Sequence, residues 1–191
     1  MSRSALMVRE ASPGDAAALL QLWTAADLPV DTGPAGQREA AAALARGAAD
    51  PDERLLVGEV DGRVVAALHL QRGILGPLST ESTVHTSHLL VLPEFRRHGF
   101  ARTLLEHAVS WAEENGIAHV SAVVDAGSRE CNRFLARLGL GTYATMRLAP
   151  TAALRLSLGR RATRRPTASS RQLGAVVAHR RSLRRRQAAG A

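Results

Sequence analysis

Apolar residues recur along this chain with two periods, and each change of period marks an element boundary. Ala5 to Arg9 is a short apolar run suited to a strand. Ser12, Pro13 and Asp15 then stand where an N-cap, a first helical residue and a capping acid belong, ahead of Leu19, Leu20, Leu22 and Trp23, so a helix is predicted from Pro13 to about Ala26. After a Pro, Gly and Asp-rich stretch from Leu28 to Gly36, Gln37 to Ala49 has the propensity of a helix but only Leu44 as a large aliphatic, which predicts a helix exposed on one side. Two apolar runs, Arg54 to Val60 and Arg63 to Gln71, flank Asp61 and Gly62, the pair that a tight hairpin turn favours because both central residues need positive φ.

A loop through Gly73, Gly76 and Pro77 leads to a third long strand, Ser82 to Leu92, stopped by Pro93. Phe100 to Glu114 places Leu104, Leu105, Ala108, Trp111 and Ala112 at helical spacing and ends at Asn115 and Gly116. Ala118 to Val124 is a strand. Ser128 caps a helix whose Cys131, Phe134, Leu135 and Leu138 share one side, with Gly139 as its stop, and Thr142 to Leu148 reads as a last strand. Residues 151 to 158 fit either period. The order predicts an α/β fold, a mixed sheet with helices over its faces, in which Ser82 to Val124 forms a right-handed parallel crossover. Ligands of such units favour the carboxyl ends of the parallel strands.

Composition changes this picture at the C-terminal end only. The 191 residues, 46% hydrophobic and 22% charged, suit one buried core. All 25 basic residues are arginine, and ten of them follow Gly159 with no acid among them, so the net charge of +8 belongs to that tail and residues 1 to 159 carry about −2. We therefore expect a folded domain over residues 1–158 and an arginine-rich tail over 159–191, disordered or partly helical. Leu173, Val176, Val177 and Leu183 lie on one side of the helical alternative, which would suit nucleic acid or another anionic surface. The absence of a long apolar run and of a secretory leader predicts a cytoplasmic chain without a transmembrane segment. A lone Cys131 excludes an internal disulfide, and no Cys/His cluster has metal-ligand spacing, so no metal is expected. Cys131 itself reads as a small core residue. His69, His88, His98, His107, His119 and His179 are scattered, and Trp23 and Trp111 fit core faces better than a base-stacking platform.

The chemistry concentrates after the third strand. Leu89, Leu90 and Val91 run through Pro93 into Arg96, Arg97, His98, Gly99, Phe100, Ala101 and Arg102, the opening of a long helix. A turn of this kind aims unpaired backbone N–H groups and the positive end of a helix dipole outward, an anion site that the two arginines bias toward phosphate. It matches neither the Walker pattern nor the dinucleotide fingerprint.

Leu89-x-Val91-x-Pro93-x-x-Arg96-x-x-Gly99-x-Ala101 resembles the acetyl-CoA signature of the GNAT family of N-acetyltransferases, and Val124-x-x-x-Ser128 with Leu138-Gly139-Leu140 is similar to its second cofactor segment. The resemblance covers about residues 5 to 150. It implies a mostly antiparallel sheet with a central parallel strand pair splayed for CoA, flanked by about four helices. It also implies that backbone groups of Leu89, Leu90 and Val91 hold the pantetheine arm of acetyl-CoA, that Arg97 to Arg102 hold its pyrophosphate, and that Ser128 adds to the site. The acceptor would be a primary amine of a small molecule or peptide. An alkylammonium must lose a proton before it attacks, and the resemblance points to His85, six residues before Val91, as the base, with Glu81 as second candidate. Where the family often carries a tyrosine that protonates the departing thiolate, this chain has Leu135. The alternative is a non-catalytic CoA-binding module recruited to nucleic acid or another anionic partner by its tail. A homodimer is left open.

Overall fold

The computed structural model of the protein describes residues 6–125 and 127–163, with side chains described as far as Gly159. The chain divides into two compact units, residues 1–141 and 142–191. The boundary expected at 158/159 falls inside a helix of the second unit, and the arginines beyond residue 163 lie outside the described residues.

The first unit is a five-stranded sheet in the order β1-β2-β3-β4-β5, comprising β1 (Met7–Glu10), β2 (Glu53–Val60), β3 (Arg63–Ile74), β4 (Ser82–Val91) and β5 (His119–Ala122). The first four strands are antiparallel neighbours and β4 pairs with β5 in parallel. The β2–β3 hairpin turns at Asp61 and Gly62 with φ of 49° and 80°, the conformation anticipated for that pair. Four helices accompany the sheet: α1 (Ala16–Ala25), α2 (Pro34–Ala48), α3 (Phe100–Glu114) and α4 (Arg129–Arg137). The first is entered through a short 3-10 turn, Pro13–Asp15. Helix α2 begins three residues earlier than its propensity suggested, because Pro34 takes the first position and the Asp31 carboxylate accepts from the N–H groups of Gly33 and Gly36 at 2.8 and 3.1 Å.

Adjacent residues of β2 show how the layers are arranged. A Cβ added to Gly47 of α2 would meet the Glu53 carboxylate, whereas the next residue, Arg54, lays its guanidinium 4.9 Å from the Trp111 ring of α3. Successive strand residues face opposite sides, so α1 and α2 cover one face and α3 the other. Covered on both faces, β3 buries Val64 through Leu68 and Leu70, each large aliphatic contributing about 1.5–3 kcal/mol.

The second unit corrects one expectation. Residues 142–150 form no strand; Tyr143, Met146 and Leu148 are exposed, and an extended segment without a ladder partner does not satisfy its backbone as a strand. The parallel pair consequently stands at the edge of the described sheet, whereas a central place required that further strand. Residues 151–158 are helical, within α5 (Thr151–Thr163), whose Ala, Leu and Arg content favours that choice.

Candidate active site

Four consecutive rungs join β4 to β5: Thr83 to His119, Val84 to Val120, His85 to Ser121 and Thr86 to Ala122. One further bond, from Val123 N–H to the Thr86 carbonyl at 2.8 Å, ends the pairing. β4 nevertheless continues to Val91, paired on its other side with β3. Its progress there is irregular. Ala67 pairs with Leu90 but His69 with Ser87, so β4 advances three residues while β3 advances two, and the extra residue sits at His88, whose φ is +53°. A bulge of this kind bends its strand and sharpens its twist. Leu89, Leu90 and Val91 thus form a strand edge with no β5 partner, half-buried, its backbone, apart from the Val91 carbonyl, available to an extended ligand.

At the end of that edge the chain makes the turn expected from the sequence. Arg97 at φ +65° and Gly99 at φ +88° are both left-handed and alternate with ordinary residues, which curls successive N–H groups inward as a nest. The N–H groups of Arg97, His98, Gly99, Phe100 and Ala101 find no acceptor among the described residues. By contrast, the N–H of Arg102 already bonds the Gly99 carbonyl at 2.9 Å and its guanidinium pairs with Glu106, so Arg102 offers no free backbone donor. Arg96 donates from Nε to the Val91 carbonyl at 3.2 Å and ties the strand end to the turn, while the His98 ring is fixed by its Nδ1 against the Arg96 carbonyl at 2.8 Å. An open strand edge leading into five unpaired N–H groups at a helix start is a fitting seat for an extended amide chain ending in phosphates.

The other expected residues are distributed less evenly. Ser128 occupies the N-cap position of α4, but its hydroxyl makes no capping bond; its carbonyl instead accepts from the side chain of Asn132. Leu135 is 5% exposed, part of the core, and supplies no proton donor. His85 lies on the face covered by α1, with Nδ1 2.7 Å from Ser121 Oγ, at a rung where β4 and β5 are still joined. Glu81 precedes β4, exposed and 3.9 Å from His119, roughly 26 Å along the strand from Leu89 at ~3.3 Å per residue. Of the two, His85 is the nearer to the open edge, four residues before Leu89, though still within the paired part of β4.

One group was not read from the sequence as functional. On the same face as His85, His69 Nε2 lies 2.8 Å from Glu53 Oε1, His69 Nδ1 lies 3.1 Å from Ser87 Oγ, and Ser87 Oγ lies 3.0 Å from His88 Nδ1. The His88 ring stacks on Trp23 of α1 at 5.5 Å between centroids. Desolvation, then the field of His69, lowers the pKa of His88 from its ordinary value. Trp23, His69 and Glu53 also line a largely apolar cavity of about 270 Å³ between this face and the two helices above it. The polar alternation of His85 and Ser87 was visible in the sequence, but their alignment with His69 required the β3–β4 register.

The splayed pair and the nest define a protein that can hold an extended, phosphate-ended ligand at the carboxyl end of its parallel strands. The chain belongs to the acetyltransferase (GNAT) family, whose model matches residues 17–140. No curated protein matches it in sequence. Similar folds include a transcriptional regulator from Bacillus halodurans C-125 (16% identity, TM-score 0.65, covering 76% of this chain and all of that one). A putative acetyltransferase from Agrobacterium tumefaciens C58 is similar at 22% identity and TM-score 0.62, over 76% of this chain and 99% of the other. The aminoglycoside N-acetyltransferase AAC(6')-Iy, solved with CoA, is similar at 13% identity and TM-score 0.63, over 78% and 97%. Among the described residues no helix is long and apolar enough to cross a membrane, and no cluster of potential metal ligands occurs.

Proposed function

We propose that this protein is an N-acetyltransferase that moves the acetyl group of acetyl-CoA to a primary amine of a small molecule or peptide by direct attack in a ternary complex. The observation that carries this reading is the unpaired edge of Leu89 to Val91 running into the five free N–H groups of Arg97 to Ala101. In it, the strand edge holds the pantetheine amides as an added strand would, and the nest, with Arg96 and Arg97 beside it, holds the pyrophosphate. Acetyl-CoA supplies a thioester, whose carbonyl accepts the amine and whose thiolate leaves. The protein's part is to fix that carbonyl near the bulge, to admit the amine from the α1 side, and to take up a proton on a side chain of β4. Of the bases expected from the sequence, His85 lies within β4, four residues before Leu89, and Glu81 precedes the strand, eight residues before it.

Calorimetry with acetyl-CoA, followed by CoA release in the presence of benzylamine, butylamine and a lysine-containing tripeptide, tests the reading. Binding with release in at least one mixture is expected. Binding without release from any amine favours the second reading, a CoA-binding module, which is supported by the burial of Leu135 where a proton donor would serve the leaving thiolate. Absence of binding overturns both.

A further inference from the structure

The strongest unassigned feature is the chain of hydrogen bonds from Glu53 through His69 and Ser87 to His88, which ends at the bulge where β4 parts from β5. Resting on the acetyl-transfer reading above, we propose that His88 Nε2 takes the proton of the acceptor ammonium, and that Ser87, His69 and Glu53 hold the ring in the accepting tautomer and relay the proton inward.

The direction of the chain follows from which groups are able to donate. A carboxylate only accepts, so the 2.8 Å bond between Glu53 Oε1 and His69 Nε2 places a proton on His69 Nε2. A neutral imidazole protonated there carries a lone pair on Nδ1, which accepts from Ser87 Oγ at 3.1 Å. With its one proton committed to His69, Ser87 Oγ accepts from His88 Nδ1 at 3.0 Å. His88 is thereby protonated on Nδ1, and its Nε2, which has no hydrogen-bond partner among the described residues, keeps a lone pair. The chain has one acceptor-only end and one free basic end, which is the polarity a proton relay requires.

Position supports the same role. His88 is the bulge residue, two places beyond the last β4–β5 rung and next to Leu89, so its ring stands where the strand edge opens. Its left-handed φ is a conformation uncommon for a residue with a side chain, and such residues gather at functional sites. Trp23 flanks one side of the ring, while His69 meets it edge-on at 6.4 Å. His88 is exposed, and partial desolvation beside Trp23, then the field of His69, shifts it toward the neutral form, the form that accepts a proton. A charge on His88 has no carboxylate beside it, whereas one on His69 faces Glu53 at 2.8 Å. When Nε2 takes the proton, Nδ1 passes its own to Ser87 Oγ, Ser87 passes its own to His69 Nδ1, and the positive charge settles on His69 against Glu53. No atom is gained or lost beyond the one proton, and the amine is left with the lone pair that attacks. The titratable groups around this row are Glu53 from β2, His69 from β3 and His85 from β4, with Glu10 of β1 and Arg54 of β2, paired to each other at 3.2 Å, lining the same cavity. Helix α1 carries none in its ten residues, and Arg38, Glu39 and Arg46 of α2 make no ion pair or hydrogen bond to the row.

Two measurements on the full chain test this. Nitrogen–proton correlation spectra at neutral pH should show His88 protonated on Nδ1 and His69 on Nε2; Ser87→Ala should release His88 to the Nε2-protonated form, and Ser87→Thr should restore it. In the CoA-release assay with the amines above, His88→Asn, chosen because asparagine tolerates the left-handed backbone, should lower kcat roughly 100-fold and remove the acidic limb of the rate profile, with acetyl-CoA affinity unchanged. Ser87→Ala should lower kcat about tenfold at unchanged KM for acetyl-CoA, and Ser87→Thr should recover it. His88 protonated on Nε2 in the unaltered protein, or full rate and an intact limb in His88→Asn, overturns the relay while leaving acetyl transfer standing. An unaltered protein that binds acetyl-CoA and releases CoA with none of the amines overturns the transfer reading and the relay's role with it.

Discussion

Thr86 and Ala122 are the last residues that β4 and β5 share in parallel register. Beyond them β4 continues to Val91 with one edge unpaired, and the bulge at His88 turns that edge away. An open edge is ordinarily an invitation to another strand. This one is short, kinked and closed at its end by Arg96, which bonds the Val91 carbonyl, so it suits a ligand of a few amide groups better than a whole strand.

Gly99 is where the nest is most easily damaged without touching the core. No atom lies within 4 Å of a Cβ added there, but the φ of +88° disfavours any side chain. Gly99→Ala should cost about 1 kcal/mol of stability and raise the Kd of acetyl-CoA only a few-fold. Gly99→Glu adds a negative charge at the proposed phosphate seat and should raise it more than 100-fold in a protein that still folds. Calorimetry with circular dichroism separates the two effects, and equal Kd values for the two variants would refute the nest as the phosphate seat.

Acid stability should depend on the entry to α1. Asp15 accepts from both outer nitrogens of Arg9 at 2.8 Å and from Ser12 N–H at 2.8 Å, and the Arg9 bonds, then those of Ser12, hold its carboxyl well below the usual range against the opposing effect of burial. A depressed carboxyl pKa contributes stability that is complete above the unfolded value of about 3.9 and is lost as pH falls below it. Asp15→Asn should therefore lower urea stability by about 1–3 kcal/mol at pH 7 and much less at pH 2. A loss independent of pH would show that Asp15 acts by packing alone.

Burial, then the charge of Glu130, raises the pKa of the Cys131 thiol. The native protein should react with Ellman's reagent at least tenfold more slowly than the urea-unfolded chain, and Cys131→Ala should transfer acetyl groups at the unaltered rate. A burst of labelling at neutral pH, or loss of transfer in the variant, would make Cys131 part of the site.

The arginine tail should act separately from the cofactor cleft, because every cofactor residue named above belongs to the first unit. A chain ending at residue 163 should bind acetyl-CoA within twofold of the full chain. It should also bind duplex DNA or anionic vesicles more weakly, and the full chain's binding should fall steeply with salt. Equal, salt-insensitive binding by both chains would remove the tail from any anionic partner.

Local chemistry determined much of this protein from the sequence. The Asp61-Gly62 hairpin, the helix from Phe100 to Glu114 and the left-handed turn at Arg96 to Ala101 depend on residues close together in the chain, whose turn preferences, apolar spacing and free N–H groups are set within a few positions. The strand proposed over Thr142 to Leu148 was not determined this way, because a strand exists only through a partner and the sequence does not say whether one is offered. Nor was the row from Glu53 to His88. His69 meets Ser87 because β4 inserts one extra residue opposite β3, and a shift of one residue reverses the face of every side chain beyond it. Composition carries no trace of that shift; the packing of the sheet between α1 and α3 decides it. The sequence alone specified the turn of free N–H groups that we propose as the phosphate seat, and the tertiary register specified which histidine stands beside the opened strand.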